Sequence, residues 1–228
     1  MKIYKGQNRA NEVLALMRKR ASGDMRDISE SVASILADIQ TRGDVALQAY
    51  TQRFDDTDYN KSPLLVGEEE IEAAYAECSK ALLSALRKSI QNAKRYHEKQ
   101  LETGYEQKDE NGYIAQIVRP IESVGIYAPG GTAAYPSSVV MNVVPAKIAG
   151  VPRICMATPA HGGKLPALTL VAARESGVDE IYRMGGAQAI AAFAYGTESV
   201  PKVNKITGPG NAYVAEAKRQ LFGKVGID

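Results

Sequence analysis

Three segments in the second half of the chain share one pattern: a short apolar run rich in β-branched residues, a turn that contains glycine, and a helix-like stretch. The turns fall at residues 129–132, 185–188 and 207–211, after apolar runs at 124–127, 181–182 and 203–206. Strands that alternate with helices pair in parallel through right-handed crossovers. Their turns therefore lie together at the carboxyl edge of one sheet, and the sequence predicts a parallel-sheet α/β fold.

That edge is predicted to be a binding face. Glycine allows positive φ and a close approach of a ligand to the backbone, while the free N–H groups of each following helix favour an anionic group such as a pyrophosphate. The three units also carry the neutral polar side chains of Tyr127, Gln188 and Asn211. Glycines that only close tight turns would explain one such unit. Three units with these polar residues favour a ligand-binding face.

The first hundred residues have a different pattern. Apolar residues recur every three or four positions within 13–17, 28–39 and 45–54, the period of amphipathic helices, and two more helices are expected from residue 67 and over 79–101. A turn at 109–112 precedes an alternating segment at 113–118, which predicts a strand. We expect an N-terminal helical layer over residues 1–103 and a Rossmann-like α/β nucleotide-binding portion over 104–228.

The last six residues resemble the beginning of a fifth strand of the sheet. Residues 223–228 contain a glycine turn followed by Val225 and Ile227. Two explanations stay open: the last strand is very short, or the sequence is the front portion of a longer protein. An unfinished strand favours the second explanation, with an α/β portion that is incomplete at its carboxyl end.

Composition excludes several classes of protein. The 228 residues include 28 basic and 26 acidic side chains, interspersed to a net charge of +2, which gives no electrostatic basis for binding nucleic acid. No apolar run approaches the length of a membrane span or forms a signal peptide.

The only cysteines are Cys78 and Cys155. So few cysteines argue for a reducing compartment, and we expect a cytoplasmic protein. Cys155 lies in an apolar strand, where we expect an inert thiol with a raised pKa.

Several longer segments are more specific than these patterns. The segments VGIYAPGG at 124–131, MGGAQAIAA at 184–192 and KITGPGNAYVAEAKR at 205–219 together resemble histidinol dehydrogenase. The segments PAKIAG at 145–150, TESVPK at 197–202 and RGDVAL at 42–47 are similar to the same family. The resemblance covers essentially the whole chain. The glycines of the GPG segment alone would be a weak dinucleotide motif, because Tyr213 holds the place of the third glycine.

The resemblance implies an activity and its cofactors. It implies two successive NAD-dependent oxidations of L-histidinol, through the aldehyde, to L-histidine, in histidine biosynthesis. It also implies a zinc ion that holds the substrate and a homodimer in the complete enzyme. The family's NAD contacts match Tyr127, Gln188 and Asn211 in this sequence. A phenol and two amides can hydrogen-bond ribose hydroxyls, phosphate oxygens or the nicotinamide carboxamide.

The family's zinc ligands and its catalytic Glu-His pair have no counterpart in this sequence. Zinc needs three or four close ligands, and a dehydrogenation needs a base. The only histidines are His97, on a charged helix, and His161, in a loop at the predicted ligand edge, and we expect neither to act as a ligand. The sequence therefore predicts no catalytic or metal-binding residues and no activity of this chain alone. The alternative is a non-catalytic nucleotide-binding module.

Overall fold

The computed structural model describes residues 7–21, 25–130 and 134–228, so Gly131 and Thr132 of the first predicted turn lie outside the described residues. The helices, in chain order, are α1 (Gln7–Ala21), α2 (Met25–Arg42), α3 (Asp44–Asp55), α4 (Glu68–Glu77), α5 (Lys80–His97), α6 (Pro136–Ile148), α7 (Ala167–Ser176), α8 (Gly186–Tyr195) and α9 (Ala212–Leu221). The strands are β1 (Tyr105–Asp109), β2 (Gly112–Gln116), β3 (Ser123–Tyr127), β4 (Arg153–Thr158), β5 (Glu180–Arg183), β6 (Lys205–Thr207) and β7 (Gly226–Ile227).

The five strands β3 to β7 form one parallel sheet in the order β5-β4-β3-β6-β7. From β3 the chain passes through α6 to β4 and through α7 to β5 on one side. It then returns to the other side of β3 to add β6 and β7. The direction in which strands are added therefore reverses between β3 and β6. The predicted alternation of strands and helices in a parallel sheet is confirmed.

Both faces of this sheet are buried. Tyr127 and Cys155 point to one face, where they pack with residues of α8 and α9. Ile126 and Ile154 point to the other face, where they pack with residues of α6 and α7. Because successive side chains of a strand alternate between faces, near-continuous apolar strands supply both cores.

Helices α2 to α5 form an outer layer on both sides of the sheet. On one side α2 packs on α8 and α9, and α3 packs on α8; on the other side α4 packs on α7 and α5 on α6. All residues of α8 from Ala187 to Ala194 are buried, since this helix lies between the sheet and the outer helices. Its small alanine side chains allow that close packing. The division of the chain at residues 103 and 104 stays a prediction.

Residues 105–116 form a β-hairpin, which corrects the prediction of a single strand at 113–118. Strands β1 and β2 pair antiparallel, with Tyr105 opposite Gln116. The carboxylate of Asp109 accepts hydrogen bonds from the backbone N–H groups of Asn111 and Gly112, at 2.8 and 3.1 Å, and so closes the predicted turn. The sequence analysis missed β1 because YEQKD has no apolar alternation.

No helix in the described part of the chain is long and apolar enough to cross a membrane.

The edge strand β5 is covered by residues 64–66. The N–H of Val66 donates to the carbonyl oxygen of Ile181 at 2.9 Å. The N–H of Arg183 donates to the carbonyl oxygen of Leu64 at 2.7 Å. A strand edge with free backbone groups would invite pairing with another chain. This short antiparallel contact removes that exposure at β5.

The side chain of Arg183 joins three parts of the fold. It is 2% exposed, and its guanidinium donates to the carboxylate of Glu70 in α4, at 3.1 and 2.5 Å. It also donates to the carbonyl oxygens of Gly163, at 2.7 Å, and Pro63, at 3.1 Å. A buried guanidinium is tolerated because four acceptors compensate for its lost hydration.

Replacing Arg183 with alanine should lower the free energy of unfolding by about 2 to 3 kcal/mol, because the partly buried carboxylate of Glu70 and two carbonyl oxygens lose their donor. Urea denaturation followed by circular dichroism measures the change. Arg42→Ala is the matched control, since it breaks an exposed pair with Asp38 within α2, and it should change stability little. Equal losses in the two variants would contradict the assigned role of Arg183.

Candidate nucleotide-binding site

The loops that follow β3, β4, β5 and β6 lie at one edge of the sheet, because these strands are parallel neighbours. Strands β3 and β6 are adjacent at the point where the strand order reverses. Open α/β sheets bind ligands in the crevice outside the carboxyl ends of strands at such a point. Residues 128–130 and 208–211 border this crevice.

The loops at this edge are packed closely against each other. Gly208 has φ +114°, and a Cβ there would lie 2.2 Å from the carbonyl oxygen of Tyr127. Pro159, after β4, lies between two other glycines. A Cβ on Gly130 would lie 2.5 Å from the carbonyl oxygen of Pro159, and a Cβ on Gly185 would lie 2.4 Å from the Cβ of Pro159. A side chain at any of these glycines would push the loops apart.

Tyr127 is the last residue of β3, and its hydroxyl reaches the turn before α8. The hydroxyl oxygen accepts a hydrogen bond from the N–H of Gly186 at 3.1 Å. Two strand spacings of about 4.8 Å separate β3 from β5, a gap that a phenol can bridge. Burial raises the pKa of Tyr127 to about 12. The hydroxyl therefore stays neutral and keeps its own proton as a donor.

Gln188 lies in the first turn of α8 and is 1% exposed. Its Oε1 atom would lie 2.6 Å from a Cβ on Gly186, which has φ +58°, so the amide lies against that glycine. Its Nε2 atom is buried without a hydrogen-bond partner among the described residues. An unsatisfied buried donor costs about 1 to 3 kcal/mol. An acceptor on a bound ligand would remove that cost.

Asn211 precedes α9 and is exposed. Its Oδ1 atom accepts hydrogen bonds from the N–H groups of Tyr213, at 3.0 Å, and Val214, at 3.1 Å. Asn211 is therefore the N-cap of α9, a role that the sequence analysis missed. Its amide Nδ2 group has no hydrogen-bond partner in the described part of the chain.

The structure brings Tyr127 and Gln188 together at the turn formed by Gly185 and Gly186, whereas Asn211 lies at the crevice between β3 and β6. Tyr127 and Gln188 are buried there, with 4% and 1% of each residue exposed, and Asp55 at the carboxyl end of α3 accepts a hydrogen bond from the same turn. The role of the three side chains as NAD contacts stays a prediction.

Asp55, the last residue of α3, is a member of this cluster that the sequence analysis missed. Its Oδ2 atom accepts a hydrogen bond from the N–H of Gly185 at 3.0 Å. Burial raises the pKa of Asp55 to about 6, although the hydrogen bond from Gly185 opposes that shift. In the sequence, residues 55–58 indicated only the end of a helix. No local pattern reveals a contact between residues 130 positions apart.

Lys218 supports the loop before α9. Its buried ammonium donates to the carbonyl oxygen of Gly208, at 2.6 Å, and to the carboxylate of Asp228, at 2.5 Å. The other oxygen of Asp228 accepts the N–H of Gly208 at 2.8 Å. The ion pair therefore holds Gly208 by both backbone groups. In the sequence, Lys218 was one cation among several in a helix.

The described residues contain no group of three or more His, Cys, Asp and Glu side chains that could hold a metal ion. His97 contacts Gln100 at the end of α5, and His161 is exposed in the loop after β4. Cys155 is buried, and burial raises its pKa to about 12, which suits the inert thiol that stays a prediction. Tyr127, Gln188 and Asn211 offer neutral hydrogen bonding at this edge, and Asp55 adds a buried carboxylate.

Comparison with known proteins identifies relatives for most of the chain. Residues 18–228 match the family model for histidinol dehydrogenase. The histidinol dehydrogenases of Geobacter sulfurreducens and Heliobacterium mobile are each 52% identical to it, over 89% and 90% of this chain. The enzyme of Streptococcus mutans is 46% identical over 100% of this chain. These alignments cover 48%, 48% and 53% of the relatives, so the chain spans about half the length of the curated relatives it matches.

A solved structure has the same fold. The crystal structure of histidinol dehydrogenase from Elizabethkingia anophelis is 34% identical in sequence and matches with a TM-score of 0.82. The match covers 100% of this chain and 48% of that chain. The motifs, the parallel sheet and these relatives agree, and the chain belongs to the histidinol dehydrogenase family.

Proposed function

We propose that this chain is the NAD-binding front part of a histidinol dehydrogenase, an enzyme that oxidises L-histidinol, through the aldehyde, to L-histidine in histidine biosynthesis. The main support for placing the cofactor site here is the Nε2 group of Gln188 at the glycine turn, which is buried without a hydrogen-bond partner among the described residues. A reversal of strand order beside glycine-rich loops is a common setting for a dinucleotide. Membership of the family supports the substrate and the reaction.

The side chains at the carboxyl edge suit NAD. Tyr127, Gln188 and Asn211 provide a hydroxyl and two amides, which can bind ribose, phosphate or carboxamide groups without repelling the anionic cofactor. The positive ends of the α8 and α9 dipoles favour an anionic group such as the pyrophosphate. When bound, NAD accepts a hydride from the alcohol. In this proposal Gln188 donates its Nε2 group to the cofactor, and the hydroxyl of Tyr127 keeps the turn in place.

Zinc does not fit the described residues of this chain. They contain no cluster of potential ligands, and the two histidines lie in separate elements, at the end of α5 and after β4. We infer that the zinc ligands and the catalytic base of the complete enzyme belong to the part of the family's length that this chain does not span. No step through the metal is assigned to residues of this chain.

We further propose that the complete enzyme is a cytoplasmic homodimer that binds L-histidinol and does not bind nucleic acid. Cys78 and Cys155 are both free thiols, which suits a reducing compartment. The net charge of +2 provides no strongly basic surface.

Replacing Gln188 with methionine should weaken NAD binding roughly tenfold, which is about 1.4 kcal/mol, because the amide donor is lost. The same change should leave the melting temperature unchanged or raise it, since it removes a buried unpaired donor. Calorimetric titration and thermal unfolding measure the two effects. Gln91→Met, on the exposed face of α5, is the control and should change neither. A destabilised Gln188→Met variant with normal NAD affinity would show a structural role instead.

Two variants of Asn211 separate its cap from a cofactor contact. Asn211→Ala should lose about 1 kcal/mol of stability with the N-cap and should also bind NAD more weakly. Asn211→Ser keeps a capping oxygen but lacks the amide, so it should regain stability while NAD binding stays weak. Titration and urea denaturation of both variants test this. Wild-type affinity in Asn211→Ser would mean that Asn211 only caps α9.

The purified chain should produce no NADH from histidinol, NAD and Zn²⁺, because its described residues contain no metal site and because we place the catalytic base in the part of the family's length that this chain does not span. Absorbance of NADH measures turnover. Adding a polypeptide that carries the second half of a relative, such as the Geobacter sulfurreducens protein, should restore activity. A non-catalytic binding module would stay inactive with that partner. Turnover by the chain alone would refute the assignment of zinc and base to the missing half.

A further inference from the structure

We propose that Asp55 is a positioning residue of the nucleotide site, whose carboxylate holds the turn at Gly185 and Gly186 in the conformation that places Gln188 and Tyr127 for the ligand. This inference deepens the proposed function and rests on it. Asp55 acts through the backbone of Gly185 and does not itself contact the cofactor.

Two side chains from different elements hold consecutive N–H groups of this turn. Asp55, at the end of α3, accepts the N–H of Gly185 at 3.0 Å, and Tyr127, at the end of β3, accepts the N–H of Gly186 at 3.1 Å. Gly186 has φ +58°, and the amide of Gln188 lies against it. Release of either N–H would let the glycines adopt other conformations, because glycine has little intrinsic preference among them.

The position of Asp55 is set by contacts at both ends of α3. At the start of α3, the N–H of Asp44 donates to the carboxylate of Glu198 at 2.8 Å. The hydroxyl of Ser199 donates to the carboxylate of Asp44 at 2.5 Å. Residues 198 and 199 follow α8, whereas Gly185 directly precedes it. Helix α3 is therefore bonded to the segments at both ends of α8. This leaves the carboxylate of Asp55 little freedom to move away from the turn.

The energetics of Asp55 indicate a functional rather than a stabilising residue. Burial raises its pKa from 3.8 to about 6, so the folded protein binds this proton more tightly than the unfolded chain does. The ionised carboxylate therefore opposes folding above pH 6, and that cost disappears as the pH falls from 6 towards 4. Ionised Asp55 nevertheless forms the stronger bond to Gly185. A group kept at a cost to stability, beside a glycine turn, is typical of a functional site.

The groups that face Asp55 do not change charge near neutral pH. Tyr127 from β3 and Tyr59 from the segment after α3 both interact electrostatically with it. Burial raises the pKa of Tyr127 to about 12 and raises that of Tyr59 further, so both stay neutral. The charges of Arg183 and Asp44 act on Tyr59. His161 lies in the loop after β4 at the same edge, so the test uses a background without it, in which a change in binding between pH 5 and 8 reports on Asp55.

NAD titration by calorimetry from pH 5 to 8 tests the proposal in a His161→Asn background. In the parent protein, affinity should fall several-fold as the pH drops through 6. Asp55→Asn keeps a neutral acceptor for Gly185, as protonated Asp55 does, so its affinity should be independent of pH and several-fold below that of the parent at pH 8. Asp55→Ala should bind roughly tenfold more weakly at pH 8. Asp179→Ala removes a comparable bond, to the N–H of Ile154 at 2.7 Å at the opposite edge, and should not change affinity.

Hydrogen exchange of the amides at 184–190, without NAD, supplies an independent readout. Asp55→Ala should speed this exchange about tenfold, whereas Asp55→Asn and Asp179→Ala should not. Asp55→Asn should also melt no lower than the parent at pH 7, since it carries no charge that burial penalises. If Asp55→Ala does not fold, the flat pH profile of Asp55→Asn carries the test.

The outcomes distinguish the two proposals. If the parent protein does not bind NAD, the cofactor assignment is overturned. Faster exchange in Asp55→Ala would still show that Asp55 stabilises the conformation of the turn. A parent that binds NAD, with unchanged affinity and exchange in Asp55→Ala, would overturn the positioning role. A pH profile that survives in Asp55→Asn would overturn it as well.

Discussion

The parallel pairing of β3 with β4 on one side and with β6 on the other sets the arrangement of the whole molecule. Parallel strands need crossover connections, so helices α6 to α9 must cover both faces of the sheet. The N-terminal helices then bury the outer surfaces of those helices. The same pairing collects the loops after the strands at one edge. The reversal of strand order beside β3 makes that edge a place for a ligand.

Unfavourable local features are concentrated in one turn of this edge. Gly186 has positive φ, Gln188 has an unpaired buried amide, and Asp55 is a carboxylate whose ionisation burial disfavours. The unpaired amide and the buried carboxylate each lower stability, and neither is needed to close a tight turn. Such features persist when the surrounding structure enforces them, and they cluster at binding and catalytic sites. The outer helix α3 provides that enforcement here.

Buried charges elsewhere near the carboxyl edge are fully paired, in contrast to this turn. Arg183 joins α4 and the loop after β4 to the end of β5, and Lys218 with Asp228 holds both backbone groups of Gly208. These two ion pairs join neighbouring segments on either side of the candidate site. Between them lies the glycine turn before α8, whose N–H groups donate single hydrogen bonds to Asp55 and Tyr127.

The sequence by itself determined the parallel α/β architecture and the edge at which Tyr127, Gln188 and Asn211 lie, because hydrophobic periodicity and glycine turns are local signals. Its longer motifs carried the resemblance to the family. The hairpin strand β1 lacked a local signal. Only the tertiary structure decided that Tyr127 and Gln188 are buried, that Asn211 caps α9, and that Asp55 bonds to Gly185. Those facts depend on how distant segments pack against each other, and contacts between segments far apart in the chain leave no periodic pattern in the residues that make them.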